Sequence, residues 1–112
     1  LLQARVSFFN KAPAEVTPHS VETLARGLEQ AGLDMLHIST RNAFLPQFGT
    51  ERSIGQWIKG ITSLPLIVAG GLGDPADAER AVAGGHADFV AVGNAMVKDP
   101  EWAARARREL LG

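Results

Sequence analysis

The sequence predicts a parallel α/β fold of four βα units, about half of a (β/α)8 barrel. Three observations carry that prediction. Short apolar runs alternate with segments of helical periodicity, the alternation that builds parallel sheets. The units recur at a period of about 25 to 30 residues, a repeat of pattern and not of residue identity. Two of the apolar runs, residues 64–71 and 88–93, end in glycine. That is how a strand buried on both faces reads when its C-terminal tip must let a ligand approach the backbone. A full barrel takes roughly 250 residues, so the 112 residues of this chain make one domain, 1–112, and no interior boundary is signalled.

The strands are expected over residues 2–8, 35–39, 66–70 and 89–93. Thr17-Pro18, Asp74-Pro75 and Asp99-Pro100 mark three helix starts. Each puts a side-chain acceptor at the N-cap and a proline at the first helical position, where its missing N–H costs nothing. Ser53 is the expected cap of the remaining helix. Val21, Leu24, Leu28 and Ala31 recur at helical spacing, and Gly32 supplies the stop. Ala78, Ala81 and Val82 repeat the layout before Gly84-Gly85. Ile54, Trp57, Ile58 and Ile61 form a third stripe, and Trp102, Ala106 and Leu110 a weaker fourth. The longest loops, residues 10–16 and 40–52, follow the first two strands, at the strand ends where parallel folds place binding groups.

Composition narrows the partners. A hydrophobic fraction of 46% with 21% charged residues suits a compact soluble domain. The net charge of −1 provides no basic field for nucleic acid. No run approaches a membrane span, and the start of the chain lacks the features of a signal peptide. With no cysteine, disulfides and thiolate chemistry are excluded, and a cytoplasmic location is expected. The chain opens directly on strand sequence without an initiator methionine, which reads as a fragment.

Gly70, Gly71, Gly73 and Gly93 are the first candidates for chemistry. Their N–H groups can face an anion directly, assisted by the positive end of the helix beginning near Pro75. The alternative is that they only permit tight turns. Both tips side by side favour a phosphate site, since barrels commonly bind phosphate after their last two strands.

Arg5 sits within an apolar strand. Either it meets an anion or polar ring, or it is an edge-strand arginine, exposed or paired with a carboxylate. His19 and His86 read as exposed turn residues. His37 reads either as a core histidine or as one facing a ligand. Asp34, Asp74, Asp88 and Asp99 read as caps or turn formers, with no pair placed for acid–base work. Arg105, Arg107, Arg108 and Glu109 read as a solvated helix face. Arg41, Asn42, Phe44 and Phe48 occupy the second long loop, where packing is the default and cover for a planar ligand the alternative. No metal site is indicated.

Four blocks then fall into a recognisable order: Ala4-Arg5-Val6-Ser7, residues 31–39, residues 66–71 and residues 85–102. Together they resemble the C-terminal half of the Old Yellow Enzyme-like NADH:flavin oxidoreductases, over nearly the whole chain. The resemblance implies strands five to eight of an FMN-containing barrel. It implies that Arg5 lies beside the N1/O2 edge of the flavin, and that Gly70, Gly71 and Gly93 give backbone donors to the phosphate, with Leu72 and Asn94 completing the wall. It also implies hydride transfer from NAD(P)H through FMN to an electron-poor alkene. Asn94 stands where the family usually has arginine, which removes a charge and a bidentate fork; Lys98 is a candidate to compensate. The substrate-anchoring pair and tyrosine proton donor of the family belong to the N-terminal half, and this chain has no tyrosine. No catalytic residue is therefore assigned, and the fragment alone is expected to be inactive. Expected partners are a small-molecule substrate, the N-terminal half of the barrel and a possible second copy. The competing readings are another phosphate-binding barrel, such as a dihydrouridine synthase, and a half-barrel that binds nothing.

Overall fold

A computed structural model describes residues 2–7, 17–92 and 100–111. In chain order the elements are β1 (Gln3–Ser7), α1 (Pro18–Gln30), β2 (Met35–Ser39), α2 (Ile54–Lys59), β3 (Leu66–Ala69), α3 (Pro75–Ala83), β4 (Phe89–Ala91) and α4 (Trp102–Leu111). All pairings are parallel, and the strands lie in sequence order, β1-β2-β3-β4. A doubly wound sheet would reverse its order partway. Here each crossover advances by one strand with its helix on the same side, the winding of a barrel segment.

The caps form where the sequence places them. Thr17 and Ser53 each close a capping box with the residue three positions on, Ser20 and Gln56. Asp74 accepts from the Ala76 N–H at 2.9 Å, with Pro75 at the first helical position. The Asp99 cap, with Lys98, lies outside the described residues. Gly32, at φ 87°, ends α1 as expected.

One face of the sheet is the core. Ala4, Leu36 and Leu66 share one register row, and Val6, Ile38, Val68 and Val90 the next. Leu36, Ile38, Leu66 and Val68 are almost wholly buried beneath Val21, Ile54, Ile58 and Ala81 of the helices. The helical stripes hold with small rotations. Ala25 is buried where Leu24 was expected, and Val82, Leu24 and Leu110 are exposed. Phe44, Phe48 and Ile61 pack against the same core from the loops.

Among the described residues the other face is uncovered, in keeping with half of a barrel. Arg5, His37, Ile67 and Phe89 form one row across it, and Phe89 is 54% exposed. An apolar run is what a barrel wall needs, and among the described residues nothing covers its inner side. Strand tips are also shorter than expected: β3 stops at Ala69 because Gly70 takes φ 143°, and β4 stops at Ala91.

His86 departs most from its sequence reading. It is half-buried, its Nδ1 lies 2.6 Å from the Ser53 Oγ, and its ring meets Phe44 edge-on at 4.9 Å between centroids. The Gly84 carbonyl accepts from Gln56 Nε2 at 3.0 Å, so the end of α3 is clipped to the start of α2. Gly55 makes the clip possible, because a Cβ there would stand 1.8 Å from the His86 carbonyl oxygen. Asp88 is likewise more than a turn former. It pairs with Lys59 and accepts from the Leu66 N–H at 2.9 Å, joining α2, β3 and the approach to β4. The Lys59 hydrogen bond, seconded by that N–H and opposed by burial, holds the Asp88 carboxyl below its ordinary range.

Gly55→Ala should destabilise the fold by about 3 kcal/mol, since a backbone carbonyl cannot yield as a flexible side chain does. The midpoint of urea unfolding measures it, and an unchanged midpoint would remove the clip from this account.

Burial first and the Arg80 guanidinium second hold the His86 pKa below its ordinary 6.5. Burial and then Arg5 act the same way on His37. A histidine depressed in the folded state binds fewer protons there than in the unfolded chain. Its contribution to stability is complete above about pH 6.5 and is lost as pH falls through the depressed value. Unfolding midpoints should therefore drop between about pH 7 and pH 5. His86→Gln should flatten part of that slope and leave the part due to His37.

Candidate functional site

The open face carries a second register row at its C-terminal edge: Ser7, Ser39, Ala69 and Ala91. All four side chains are small, while those of the row beneath are large. A wall whose outermost layer is small leaves a hollow over the strand ends. A cleft of about 560 Å³ lies there, lined by Arg5, residues 39–41, residues 69–73, Ala91 and Val92.

Arg5 belongs to the lower row, and its Nη2 donates to the Ser39 Oγ at 3.3 Å, so its guanidinium reaches up into the cleft. The arginine is exposed on β1, the outermost strand of the described sheet. Among the described residues, the charged groups lining the cleft are Arg5 and Arg41.

The wall opposite Arg5 is the tip of β3. Gly70, at φ 143°, passes so close to β2 that a Cβ would stand 2.0 Å from the Thr40 carbonyl oxygen. Gly71, at φ 67°, comes next, and its Cβ would stand 3.2 Å from the Arg41 carbonyl oxygen. Backbone hydrogen bonds close this approach from both sides. The Thr40 N–H donates to Ala69 at 2.8 Å, and the Ala43 N–H donates to Gly70 at 3.1 Å. Leu72 is buried in the main core beneath the tip. The Trp102 indole of α4 donates to the Gly73 carbonyl at 2.6 Å, which anchors the turn into α3.

Of the six residues singled out from sequence, Arg5, Gly70, Gly71 and Leu72 line one cleft. Gly93 and Asn94 lie outside the described residues. Gly73 joins the lining as well. Asn42 does not line the cleft; its Oδ1 accepts from the Phe44 N–H at 2.9 Å in a local turn. Phe44 and Phe48 turn to packing, the latter edge-on to Trp57 at 5.5 Å. Ser39, Thr40, Ala91 and Val92 were missed, and Arg41 was singled out only as loop packing or cover for a planar ligand. Their signal was the register: Ser39 and Ala91 fall in the small-residue row with Ala69, and Thr40 and Arg41 follow Ser39. His37 lies in the row below, its Nε2 buried and without a hydrogen-bond partner among the described residues. No group of three metal-binding side chains gathers among the described residues, and no helix there is long and apolar enough to cross a membrane.

A singly wound parallel sheet with a glycine-walled cleft over its strand ends defines a segment of a (β/α)8 barrel. Residues 7–111 match the NADH:flavin oxidoreductase / NADH oxidase family, and the chain belongs to it. It is similar to a protein named NADH oxidase from Thermoanaerobacter brockii, 34% identical over 93 residues that span 75% of this chain. A protein named bilirubin reductase from Mediterraneibacter gnavus (strain CC55_001C) is 28% identical over 89 residues and 70% of the chain. The chain spans 14% of the length of each of these relatives. Its fold is also that of a crystal structure of TcOYE with pHBA, matched with a TM-score of 0.70 at 18% identity over 96% of this chain and 28% of that one. The Old Yellow Enzyme-like resemblance of the sequence and the partial-barrel fold therefore hold together.

Trp102→Phe keeps an aromatic ring in its packing site and removes the indole donor. It should destabilise the fold by about 1 kcal/mol and raise backbone exchange at Gly73 and Asp74, as read by hydrogen–deuterium exchange. Unchanged exchange there would show that the indole does not hold the turn.

Proposed function

We propose that this chain is the C-terminal half of an FMN-binding barrel in an NAD(P)H-dependent oxidoreductase that reduces activated alkenes. The observation that carries the reading is the cleft itself: two arginines and a glycine tip around a floor of small side chains. Both ends of FMN find suitable groups there. Gly70, whose missing Cβ admits the close approach to Thr40, leaves a backbone wall with Gly71 and Leu72 for the phosphate. Gly93 and Asn94 are proposed to extend that wall from the neighbouring strand. Arg5 is proposed to stand at the N1/O2 edge of the ring, where a fixed guanidinium stabilises negative charge gathered on reduction. The Ser39 hydroxyl holds that guanidinium in place.

Bound FMN supplies two-electron chemistry between NAD(P)H and an electron-poor alkene. The chain's own residues bind and orient the cofactor and set the electrostatics around it. With no tyrosine in this segment, the proton for the substrate is proposed to come from the N-terminal half, along with the substrate-anchoring pair. That half is also the proposed cover for the open face around Phe89. The cytoplasm is the proposed compartment, and a small organic molecule the proposed substrate. Relatives named as an oxidase and a reductase support redox chemistry of this kind.

The absorbance spectrum of the purified intact protein after desalting tests the reading. Flavin bands should remain, the released flavin should be FMN, and anaerobic NADH or NADPH should bleach it. A colourless protein that takes up no added FMN would overturn the proposal. Arg5→Gln should leave the fold intact and slow bleaching by about a hundredfold.

A further inference from the structure

We infer that Phe44 is a positioning residue of the cleft: its ring, held by the Arg80 guanidinium and the His86 imidazole, anchors the turn whose Ala43 N–H fixes the Gly70 tip. The inference deepens the flavin reading, on which its ligand rests, while the anchor itself stands on contacts within the chain.

The chain leaves β2 along the tip of β3. The Thr40 N–H donates to Ala69 at 2.8 Å, and the Ala43 N–H donates to Gly70 at 3.1 Å. A tight turn follows at once. The Leu45 N–H donates to the Asn42 carbonyl at 3.2 Å, and the Asn42 Oδ1 accepts from the Phe44 N–H at 2.9 Å. So short a turn pivots about its hydrogen bonds unless a side chain ties it to a rigid element. Ala43 is buried but offers only a methyl group, and Asn42 is exposed. Phe44 is the tie. Its ring packs against the main core, meets the His86 ring edge-on with centroids 4.9 Å apart, and carries the Arg80 guanidinium over its face, 4.0 Å from the centroid. An edge-on partner and a cation over the face are both arrangements that the charge distribution of an aromatic ring favours.

Both contacts come from one βα unit. Arg80 lies near the end of α3 and is oriented by Asp77 at 3.1 Å. His86 follows that helix and is seated on the Ser53 hydroxyl. Gly70, which accepts from Ala43, stands at the other end of the same unit. The turn is thus held by the strand tip through its backbone and by the helix end through the Phe44 ring, which sets the turn against the Gly70–Gly71 wall. Phe44, Arg80 and His86 lie outside the lining of the cleft, so they act on a ligand only through Ala43 and Gly70. The sequence offers Phe44 as packing or as cover for a planar ligand; the contacts make it packing on which the ligand wall depends.

The test uses the intact protein in four forms: native, Phe44→Leu, Arg80→Gln and the double variant. Phe44→Leu keeps an apolar side chain in the core and removes the ring; Arg80→Gln removes the cation at an exposed position. Hydrogen–deuterium exchange over residues 42–44 is read on protein freed of flavin, and FMN release is read by the rise of flavin fluorescence on dilution. Phe44→Leu should speed both by about tenfold, and Arg80→Gln by about threefold. In the Phe44→Leu background Arg80→Gln should add nothing, because the guanidinium then has no ring to hold; a general loss of stability would add in full. Unchanged exchange in Phe44→Leu would overturn the inference. So would faster exchange without faster FMN release, or an Arg80→Gln effect of equal size in both backgrounds. If Phe44→Leu does not fold, Arg80→Gln alone decides: a threefold rise in both readouts supports the anchor, and no rise in either overturns it. A native protein that binds no FMN would overturn the flavin reading, an outcome distinct from the exchange result, which judges the anchor without the ligand.

Discussion

The approach of Gly70 to the Thr40 carbonyl is the constraint on which the site depends. Parallel strands ordinarily diverge at their C-terminal tips as the chain leaves for the next helix. Here two backbone hydrogen bonds hold β2 and the β3 tip together one residue beyond the last strand pair. No side chain fits between them, so glycine is required both by space and by a φ of 143°. From that contact follow the position of Gly71, the backbone position of Arg41 and the direction in which the chain enters α3. The Trp102 indole then fixes the far end of the turn by its bond to Gly73.

The register of the sheet does the rest. Because side chains alternate along a strand and the register runs unbroken from β1 to β4, alternate residues of every strand fall on a single inner face. Its outermost row is Ser7, Ser39, Ala69 and Ala91, so the hollow is set by residue size before any loop is considered. The row beneath is Arg5, His37, Ile67 and Phe89. It supplies the guanidinium that reaches into the cleft and a broad apolar surface at the β4 edge. One wall thus serves as floor of a site and as the surface that the remainder of a barrel would cover.

The sequence was most informative where the physics is local. Thr17, Ser53 and Asp74 cap their helices because a hydroxyl or carboxylate meets an N–H two or three residues away, and proline reinforces two of them. Gly70 and Gly71 were legible because glycine at the end of an apolar run has few other uses. What the sequence concealed was non-local. His86 looked exposed in a glycine-flanked turn, yet Ser53 and Phe44, more than 30 residues away in the chain, enclose it. Asp88 looked like a turn residue, and Lys59 makes it a tie between helix and sheet. The small-residue row was present in the sequence, but it becomes a row only when four strands are set in register.

The measurement that bears most directly on the central claim is flavin retention by Gly70→Ala in the intact protein. The account predicts that the variant keeps its parallel sheet, as judged by far-UV circular dichroism, and loses FMN through desalting, because the added methyl pushes β3 away from Thr40 and opens the wall. A Gly70→Ala protein that retains FMN with native affinity would contradict it and would show that the cleft does not depend on this contact.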